Sequence, residues 1–427
     1  MNRSTYSVPV ATTHNTYSYI CGQFKQALAR RVSTLSLTAN ENILSETART
    51  LGQNRHYDRY LFNSQTTTGH HYAAEFNGMQ IEHFPEVETL KTLATQAAQS
   101  MFNAEFVEFR VLSGVHCTLS VLAAVTVPGE TVFSLAPGCG GHFATGPMVQ
   151  TMGRRSQFLR LCEDGQIDLA GFDQQLQALG YRPSVVLLDH GLTTRAIAIK
   201  PLRDLLNRHG CHRTLIIYDA SHTLGLIAGQ AFDNPLDEGA DILQGNTHKS
   251  LPGPHRALIV CRRADLARQI EQNLSGGLIS SPNLPGLLQL FVTLVEMERY
   301  GRAYAQRMCS NARHLQTALS DLPGWRVHPT DTHLLLLEGT HSRNTAKQLN
   351  ELGIRVNNKQ LDGRECLRLG VQEITRLGIT GEDLDTLAAV LRSVLSGKTS
   401  PADRLRLTQI CQHLNQVHYS FDQEPHP

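Results

Sequence analysis

Neither sign of charge dominates this chain of 427 residues, in which 39 lysines and arginines face 38 aspartates and glutamates for a net charge of +1. That balance provides no extended positive surface, so neither nucleic acid nor an anionic membrane is expected as a partner. No uninterrupted apolar run reaches the roughly 18 residues that span a bilayer. The first twenty residues also lack the apolar core of a secretory signal. We therefore expect no membrane segment.

Paired cysteines are missing as well. The nine cysteines are scattered singly, their number is odd and no CxxC pair occurs, so neither a disulfide framework nor a bound metal is predicted. Apolar residues make up 41% of the chain and charged residues only 18%, which excludes disorder. We expect a reduced, cytoplasmic globular protein with two or three domains of roughly 100–200 residues each.

Short apolar runs alternate with helix-length segments along the middle of the chain. The runs at 184–188 (SVVLL), 214–218 (TLIIY) and 257–261 (ALIVC) are continuously apolar, as is typical of strands buried on both faces of a mainly parallel sheet. Residues 200–209 form a helical segment that Gly210 is expected to end. This alternation predicts an α/β layered domain.

The pattern changes after a turn-rich stretch at 275–285. We expect residues 1–45 to form an N-terminal arm with a helix near 23–32, and residues 46–285 to form the large domain. Residues 286–427 are expected to form a smaller C-terminal α+β domain, which includes a long bridging helix and a tail.

Two chemistry-bearing residues follow buried strands in this scheme. Asp219 comes at the end of the TLIIY strand, and Lys249 lies thirty positions later in a polar turn. Strand ends of open α/β sheets border the ligand crevice. An amine and a carboxylate there suit pyridoxal phosphate, whose aldehyde takes an amine and whose pyridine nitrogen takes an anionic partner. Taken singly, Asp219 could instead cap a helix and Lys249 could be a solvated loop residue.

The segment NTHKSLPGP around Lys249 resembles the lysine loop of the serine hydroxymethyltransferases, which are fold-type I pyridoxal phosphate enzymes. Three further segments agree with that family in order: 37–42 (LTANEN), 140–142 (GGH) and 367–375 (LRLGVQEIT). The resemblance covers about residues 35 to 380. It implies the aspartate aminotransferase-like fold, with a mainly parallel seven-stranded sheet in the large domain and a smaller α+β domain. It also implies a homodimer with shared active sites.

The resemblance assigns roles to individual residues. It implies that Lys249 forms the Schiff base, that Asp219 is the partner of the pyridinium nitrogen and that His142 stacks on the cofactor ring. His222 would line the pocket beside the ring. Arg368 would bind the substrate carboxylate, a task for which its planar guanidinium is suited.

The resemblance also implies roles for further residues near these five. Thr247 and His248 flank the lysine on the cofactor side, and Asn40 lies on the substrate side. Ser113, Gly114 and Val115 correspond to the turn before a helix whose backbone N–H groups would bind the phosphate.

The family has a hydroxyl residue at the position of Val115, so one side-chain hydrogen bond to the phosphate is missing. His116 or Thr118 could replace that bond, and the sequence leaves both open.

The sequence departs from the hydroxymethyltransferases at a segment that the family contributes across the dimer. Tyr60 matches a catalytic and substrate-binding tyrosine, but Phe62 stands where the family has a catalytic glutamate. Phenylalanine cannot transfer a proton. Glu75 or Glu82 could supply a displaced carboxyl group, and that alternative stays open.

The segments at 37–42 and 140–142, the lysine loop and the segment at 367–375 are also similar to the L-threonine transaldolases. A further match lies at 83–86 (HFPE), although a common turn could also produce it. Those enzymes pass the glycyl part of L-threonine to a second aldehyde. The resemblance therefore implies cleavage and formation of the Cα–Cβ bond of a β-hydroxy-α-amino acid, with an amino acid and an aldehyde as the small-molecule partners. Alternatives are a serine hydroxymethyltransferase, a threonine aldolase, or a non-catalytic paralogue that acts as a binding protein.

Overall fold

The structure is a computed structural model that describes residues 13–31, 33–59, 72–76, 79–82 and 84–424. The helices are α1 (Thr13–Arg31), α2 (Glu46–Gly52), α3 (Pro85–Phe102), α4 (Gly114–Val125), α5 (Thr145–Thr151), α6 (Leu169–Ala178), α7 (Ile199–Arg208), α8 (Leu224–Ala228), α9 (Ala264–Asn273), α10 (Leu284–Leu319), α11 (Ser342–Leu352), α12 (Gln372–Arg376), α13 (Gly381–Leu395) and α14 (Pro401–His413).

The strands are β1 (Leu35–Ser36), β2 (Tyr72–Phe76), β3 (Met79–Glu82), β4 (Phe106–Glu108), β5 (Thr131–Leu135), β6 (Arg155–Leu159), β7 (Val185–Leu188), β8 (Leu215–Asp219), β9 (Ile242–Asn246), β10 (Ala257–Cys261), β11 (Arg326–Val327), β12 (Leu334–Glu338), β13 (Ile354–Arg355), β14 (Asn357–Leu361) and β15 (Arg364–Gly370).

A seven-stranded sheet in the order β4-β10-β9-β8-β7-β5-β6 forms the centre of the larger part of the chain. The pairs β9-β8, β8-β7, β7-β5 and β5-β6 are parallel, so the predicted mainly parallel sheet is confirmed. Strand β10, the ALIVC run, is antiparallel to both β9 and β4. Its buried, continuously apolar sequence gave no sign of that direction, because a strand enclosed on both faces has the same composition either way.

The helices that cover this sheet are held by their apolar faces. In α7 the buried residues Leu202, Leu205 and Leu206 recur at helical spacing. The helix ends where predicted, because Gly210 adopts a left-handed conformation with φ of 65°, which a residue without Cβ reaches at no steric cost.

The C-terminal part is built on an antiparallel sheet in the order β11-β12-β15-β14. Leu367 and Leu369 of β15 face a core that they share with α13, whose start is fixed by a capping box between Thr380 and Asp383. Strand β1 pairs in parallel with β13, so the segment after α1 is attached to this part of the chain.

The long helix α10 joins the two hydrophobic cores. Most of its buried residues between Leu287 and Cys309 belong to the core under the seven-stranded sheet, whereas Ala312, Leu315 and Leu319 belong to the core of the C-terminal part. The long helix predicted over about residues 286–319 is therefore present, as α10. Within the described part of the chain, none of the helices combines the length and apolar character that a bilayer crossing requires.

Candidate active site

The lysine loop that follows β9 is held by a hydrogen bond from Asn42 and by one within the loop. Asn42 donates a hydrogen bond from Nδ2 to the carbonyl oxygen of Lys249 at 2.5 Å, and also one to the hydroxyl of Tyr304 at 2.9 Å. The hydroxyl of Thr247 donates to the carbonyl of Pro254 at 2.7 Å. The Thr247 side chain is therefore used inside the loop, and the structure does not bring it to the cavity. These bonds fix the backbone of Lys249 while leaving its amine free to point inward.

The amine of Lys249 lies 3.3 Å from Nε2 of His222. That same Nε2 lies 3.4 Å from Nη1 of Arg368. Both neighbours are N–H donors, so Nε2 acts as the acceptor and the imidazole is neutral. Burial, together with the charges of Lys249 and Arg368, holds the pKa of His222 well below its ordinary range. Burial also lowers the pKa of Lys249 to about 8, although Asp219 opposes the shift, so the free amine is readily formed near neutral pH.

Asp219 is the last residue of β8 and faces the same cavity. Its Oδ1 accepts from the N–H of Ser221 at 2.9 Å, and its Oδ2 accepts from Nε2 of Gln244 at 3.2 Å. The next helix, α8, begins only at Leu224, so Asp219 does not cap it. The simpler interpretations, a capping aspartate and a solvated lysine, therefore do not describe these two residues.

A cavity of about 190 Å³ lies between these groups. Its lining includes these residues that the sequence singled out: Ser113, Gly114, Val115, His142, Asp219, His222, His248 and Lys249. His248 stacks on His255 with ring centroids 3.7 Å apart, and burial lowers the pKa of His248 to about 3. The pattern of residues read from the sequence thus converges on one enclosed space.

The start of helix α4 forms one end of the cavity. Ser113 is the N-cap, and its hydroxyl accepts from the N–H of His116 at 3.2 Å. The N–H of Gly114 donates to Oδ1 of Asn246 at 2.9 Å, and a Cβ at Gly114 would lie 2.5 Å from the Asn246 amide. Only glycine allows this close approach. Val115 is 50% exposed and contributes no hydroxyl.

Neither candidate for the missing hydroxyl is free. His116 accepts from the N–H of Leu112 at 3.0 Å through Nδ1, and its Nε2 lies 3.2 Å from the carbonyl of Leu278. Thr118 donates to the carbonyl of Gly114 at 3.1 Å and accepts from Gln244 at 2.7 Å. Both side chains already have partners in the protein, so neither is free to replace the missing hydroxyl.

The loop that carries His142 depends on an aspartate that the sequence reading missed. Asp189, only 5% exposed, accepts from the N–H of His142 at 3.2 Å, from the Thr145 hydroxyl at 2.5 Å and from the N–H of Leu135 at 3.2 Å. Burial raises its pKa to about 7. Asp189 follows strand β7 directly, so the rule that identified Asp219 at the end of β8 also applied here.

Glycine is required beside His142. A Cβ on Gly141 would lie 2.0 Å from the carbonyl oxygen of Leu135, and Gly140 has a φ of 93°. The chain therefore folds tightly over the end of β5, and this turn presents the imidazole of His142 to the cavity.

Arg368 lies on β15, with its side chain reaching into the site, and is 4% exposed. Its Nη2 donates to Oδ1 of Asn357 at 2.8 Å and to Oδ1 of Asn40 at 3.3 Å, and its Nη1 donates to the carbonyl of Gly191 at 2.7 Å. Burial lowers its pKa to about 10. Within the described residues no carboxylate contacts this guanidinium. A buried cation whose partners are all neutral is stabilised by an anion that binds beside it.

Some predicted residues fall outside what the structure describes. Tyr60, Phe62 and His83 lie in undescribed segments. Glu75 and Glu82 belong to β2 and β3, and nothing is described of their side chains. The roles assigned to these five residues stay predictions.

The residues present fit pyridoxal phosphate. The buried Nδ1 of His222 has no hydrogen-bond partner in the protein, and the amine of Lys249 has no carboxylate within ion-pair distance among the described residues. The start of α4 borders the same cavity through Ser113, Gly114 and Val115. A reactive amine, a carboxylate, an imidazole and a helix N-terminus thus border one cavity, which is the set of groups that this cofactor takes.

The class that this fold and site define is that of fold-type I pyridoxal phosphate transferases. The family model described as "serine hydroxymethyltransferase" matches residues 15–391, and the chain belongs to that family. The solved structure of L-threonine transaldolase from Pseudomonas fluorescens, in its internal aldimine state, superposes with a TM-score of 0.84 at 27% identity, covering 97% of this chain and 96% of that one.

Two relatives are each 32% identical in sequence to this chain. The fluorothreonine transaldolase of Streptantibioticus cattleyicolor is 32% identical over 403 residues, which are 92% of this chain but 62% of that longer protein. The serine hydroxymethyltransferase of Archaeoglobus fulgidus is 32% identical over 383 residues, with 83% of this chain and 84% of that one covered. The predicted family and enzyme class are therefore confirmed.

Proposed function

We propose that this protein transfers the glycyl part of L-threonine to an acceptor aldehyde and so forms a new β-hydroxy-α-amino acid. The observation that carries the proposal is the buried guanidinium of Arg368. It has no carboxylate partner among the described residues and shares His222 with the amine of Lys249. This arrangement suits an α-amino acid, whose carboxylate and amino group are separated by a single carbon.

Pyridoxal phosphate, when bound, supplies the electron sink that stabilises the carbanion left by cleavage of the Cα–Cβ bond. Lys249 would hold the cofactor covalently, Asp219 would face its pyridine nitrogen and His142 would lie against its ring. The start of α4 at Ser113 and Gly114 would bind its phosphate.

The residues of the chain itself then have separate roles. Arg368 binds the amino acid carboxylate and fixes its orientation, while Asn40 and Asn357 hold the guanidinium in place. The amine of Lys249, with its pKa lowered to about 8, accepts and returns a proton near neutral pH. Nε2 of His222 lies within hydrogen-bond distance of both the Lys249 amine and the Arg368 guanidinium, so it links the two groups.

Phe62 distinguishes this proposal from a hydroxymethyltransferase. A folate route needs a carboxyl group for proton transfer at that position, and removal of a general acid–base group costs roughly 10²–10⁴-fold in rate. Cleavage and re-formation of the Cα–Cβ bond require only the groups that hold the cofactor and the substrate. Relatives named as transaldolases support this choice.

The test is an assay of the purified holoenzyme with L-threonine and a panel of aldehydes, alongside serine with tetrahydrofolate. We expect acetaldehyde release and a new β-hydroxy amino acid only when an acceptor is present, and no acceleration of serine cleavage by tetrahydrofolate. Folate-dependent conversion of serine to glycine at an ordinary enzymatic rate would restore the hydroxymethyltransferase. Release of acetaldehyde without any transfer indicates a threonine aldolase, and absence of both cofactor and turnover indicates a binding protein.

We further propose that the protein is a cytoplasmic homodimer, divided into an arm (1–45), a large domain (46–285) and a small domain (286–427). Family membership supports shared active sites, with Tyr60 contributed to the partner's site. All nine cysteines are unpaired, which supports a reducing compartment. Light scattering that reveals a fully active monomer would contradict the shared site.

A further inference from the structure

The hairpin formed by β14 and β15 presents one of its two faces to the active site. Along β15, Leu367 and Leu369 face the core of the C-terminal part, so the alternate residues Cys366 and Arg368 lie on the opposite face. Asn357 pairs with Arg368 and Lys359 pairs with Cys366. Lys359 therefore lies on the same face as Arg368, two residues further towards the hairpin tip.

The tip of the hairpin rests against the loop that leads to His142. The N–H of Asp362 donates to the carbonyl oxygen of Gly138 at 2.7 Å, and Gly138 lies four residues before His142. Lys359 is thus located between the Arg368 guanidinium at one end of β14 and the His142 loop at the other. Its position agrees with its electrostatic influence, because its charge contributes to lowering the pKa values of both His142 and Lys249.

The ammonium of Lys359 has no carboxylate partner among the described residues, although acids surround the hairpin. Each of those acids is paired with an arginine: Asp362 with Arg160 at 3.5 Å, Glu338 with Arg364 at 3.1 Å and Glu365 with Arg343 at 3.3 Å. The Lys359 side chain is exposed, so it can reach a ligand that enters beside Arg368.

We propose that Lys359 binds an anionic group, a carboxylate or a phosphate, on the acceptor aldehyde. This inference rests on the proposed glycyl transfer and specifies its acceptor. L-Threonine carries a single carboxylate, and Arg368 already accounts for it. The acceptor is the one remaining substrate, and the carboxylate that Arg368 binds does not compensate the charge of Lys359. An anionic group on the acceptor would compensate it.

The experiment compares acceptors that differ in charge but little in shape. With L-threonine as donor, kcat/KM is measured for 4-formylbenzoate against 4-formylbenzamide, and for glycolaldehyde phosphate against glycolaldehyde. The two pairs distinguish a carboxylate from a phosphate. The wild-type enzyme is expected to prefer at least one of the anions by about tenfold or more, since hydrogen bonds to charged groups contribute this order of affinity.

Lys359→Met should lower kcat/KM for the preferred anion by about 10- to 100-fold while changing the neutral acceptor and the KM for L-threonine by less than about threefold. Lys359→Arg should retain the preference. The matched control is Lys347→Met, an exposed lysine on α11, which packs on the other side of the same sheet. Equal use of charged and neutral acceptors by the wild type, or an unchanged preference in Lys359→Met, would overturn the inference.

A second measurement separates this inference from the proposed function. The unreactive alcohols 4-(hydroxymethyl)benzoate and 4-(hydroxymethyl)benzamide are titrated into the holoenzyme by calorimetry, with L-threonine absent. Tighter binding of the benzoate that is lost in Lys359→Met supports the anion site even if no aldehyde is ever converted. If the enzyme transfers the glycyl group to neutral and anionic aldehydes equally well, the proposed function stands and the role of Lys359 is refuted.

Discussion

The two lysines to which we assign roles, Lys249 and Lys359, have different surroundings. Lys249 lies in a loop fixed by Asn42 and contacts His222, and burial lowers its pKa to about 8. Lys359 lies on the edge strand β14 with an exposed side chain and no described carboxylate partner. An enclosed amine loses its proton readily and can bond covalently. Partial burial and the charge of Arg368 lower the pKa of Lys359 as well, but its more exposed ammonium is accessible to an anion. The two proposals thus place the chemistry on the large sheet and the recognition on the hairpin.

The most severe way to test this division is to remove the enclosed amine. Lys249→Ala should abolish covalent attachment of the cofactor and lower turnover by roughly 10⁴-fold, the upper end of the range for loss of a proton-transfer group. Borohydride reduction followed by peptide mass mapping should place the trapped cofactor on Lys249 in the wild type. Lys359→Ala should retain that label, and a label on any other lysine would contradict the assignment.

Loss of the charge at the end of β8 should be the next largest effect. Asp219→Asn keeps an oxygen that accepts from the N–H of Ser221, so the fold and the bound cofactor should persist. A neutral amide cannot stabilise a protonated pyridine nitrogen, so kcat should fall by roughly 10²–10⁴-fold. Circular dichroism and cofactor absorbance serve as controls in the same samples. Turnover within a few-fold of the wild type would show that Asp219 only shapes the turn.

The recognition side is tested by Arg368→Lys, which keeps the charge but loses the planar pair of donors. KM for L-threonine should rise by about 10- to 100-fold with a smaller change in kcat, because the ammonium cannot bind a carboxylate in two places. Arg355→Lys is the matched control, since Arg355 forms a partly exposed ion pair with Glu41 at 2.7 Å. An unchanged KM would place the carboxylate elsewhere.

The smallest expected effect concerns the buried carboxyl group beneath His142. Burial raises the pKa of Asp189 from 3.8 to about 7, so the folded protein retains a proton that the unfolded chain releases between these values. The stability contributed by this group is present below about pH 4 and is lost as the pH rises through about 7. Asp189→Asn removes that titration. The fall in Tm between about pH 5 and pH 8 should therefore be shallower in the variant than in the wild type, as measured by calorimetry, and parallel curves would contradict this.

Much of the fold followed from local patterns in the sequence. Apolar runs of strand length identified β7, β8 and β10, and helical spacing identified α7 and α10, because a segment that must bury one or both faces shows this in its own composition. Lys249, Asp219, His142 and Arg368 were also recognisable, since each lies in a short motif beside a strand or a turn. The cavity lined by the first three and the contact of Arg368 with His222 agree with those predictions.

Only the tertiary structure decided the relations between segments that are distant in the chain. The antiparallel direction of β10 and the pairing of β1 with β13 leave no local pattern, and the position of Asp189 after β7 does not by itself show that it holds the His142 loop. The same is true of Asn357 and Lys359, whose importance depends on their register against β15. Such contacts join residues tens to hundreds of positions apart, and their energies come from burial and hydrogen bonds that exist only once the layers have packed together.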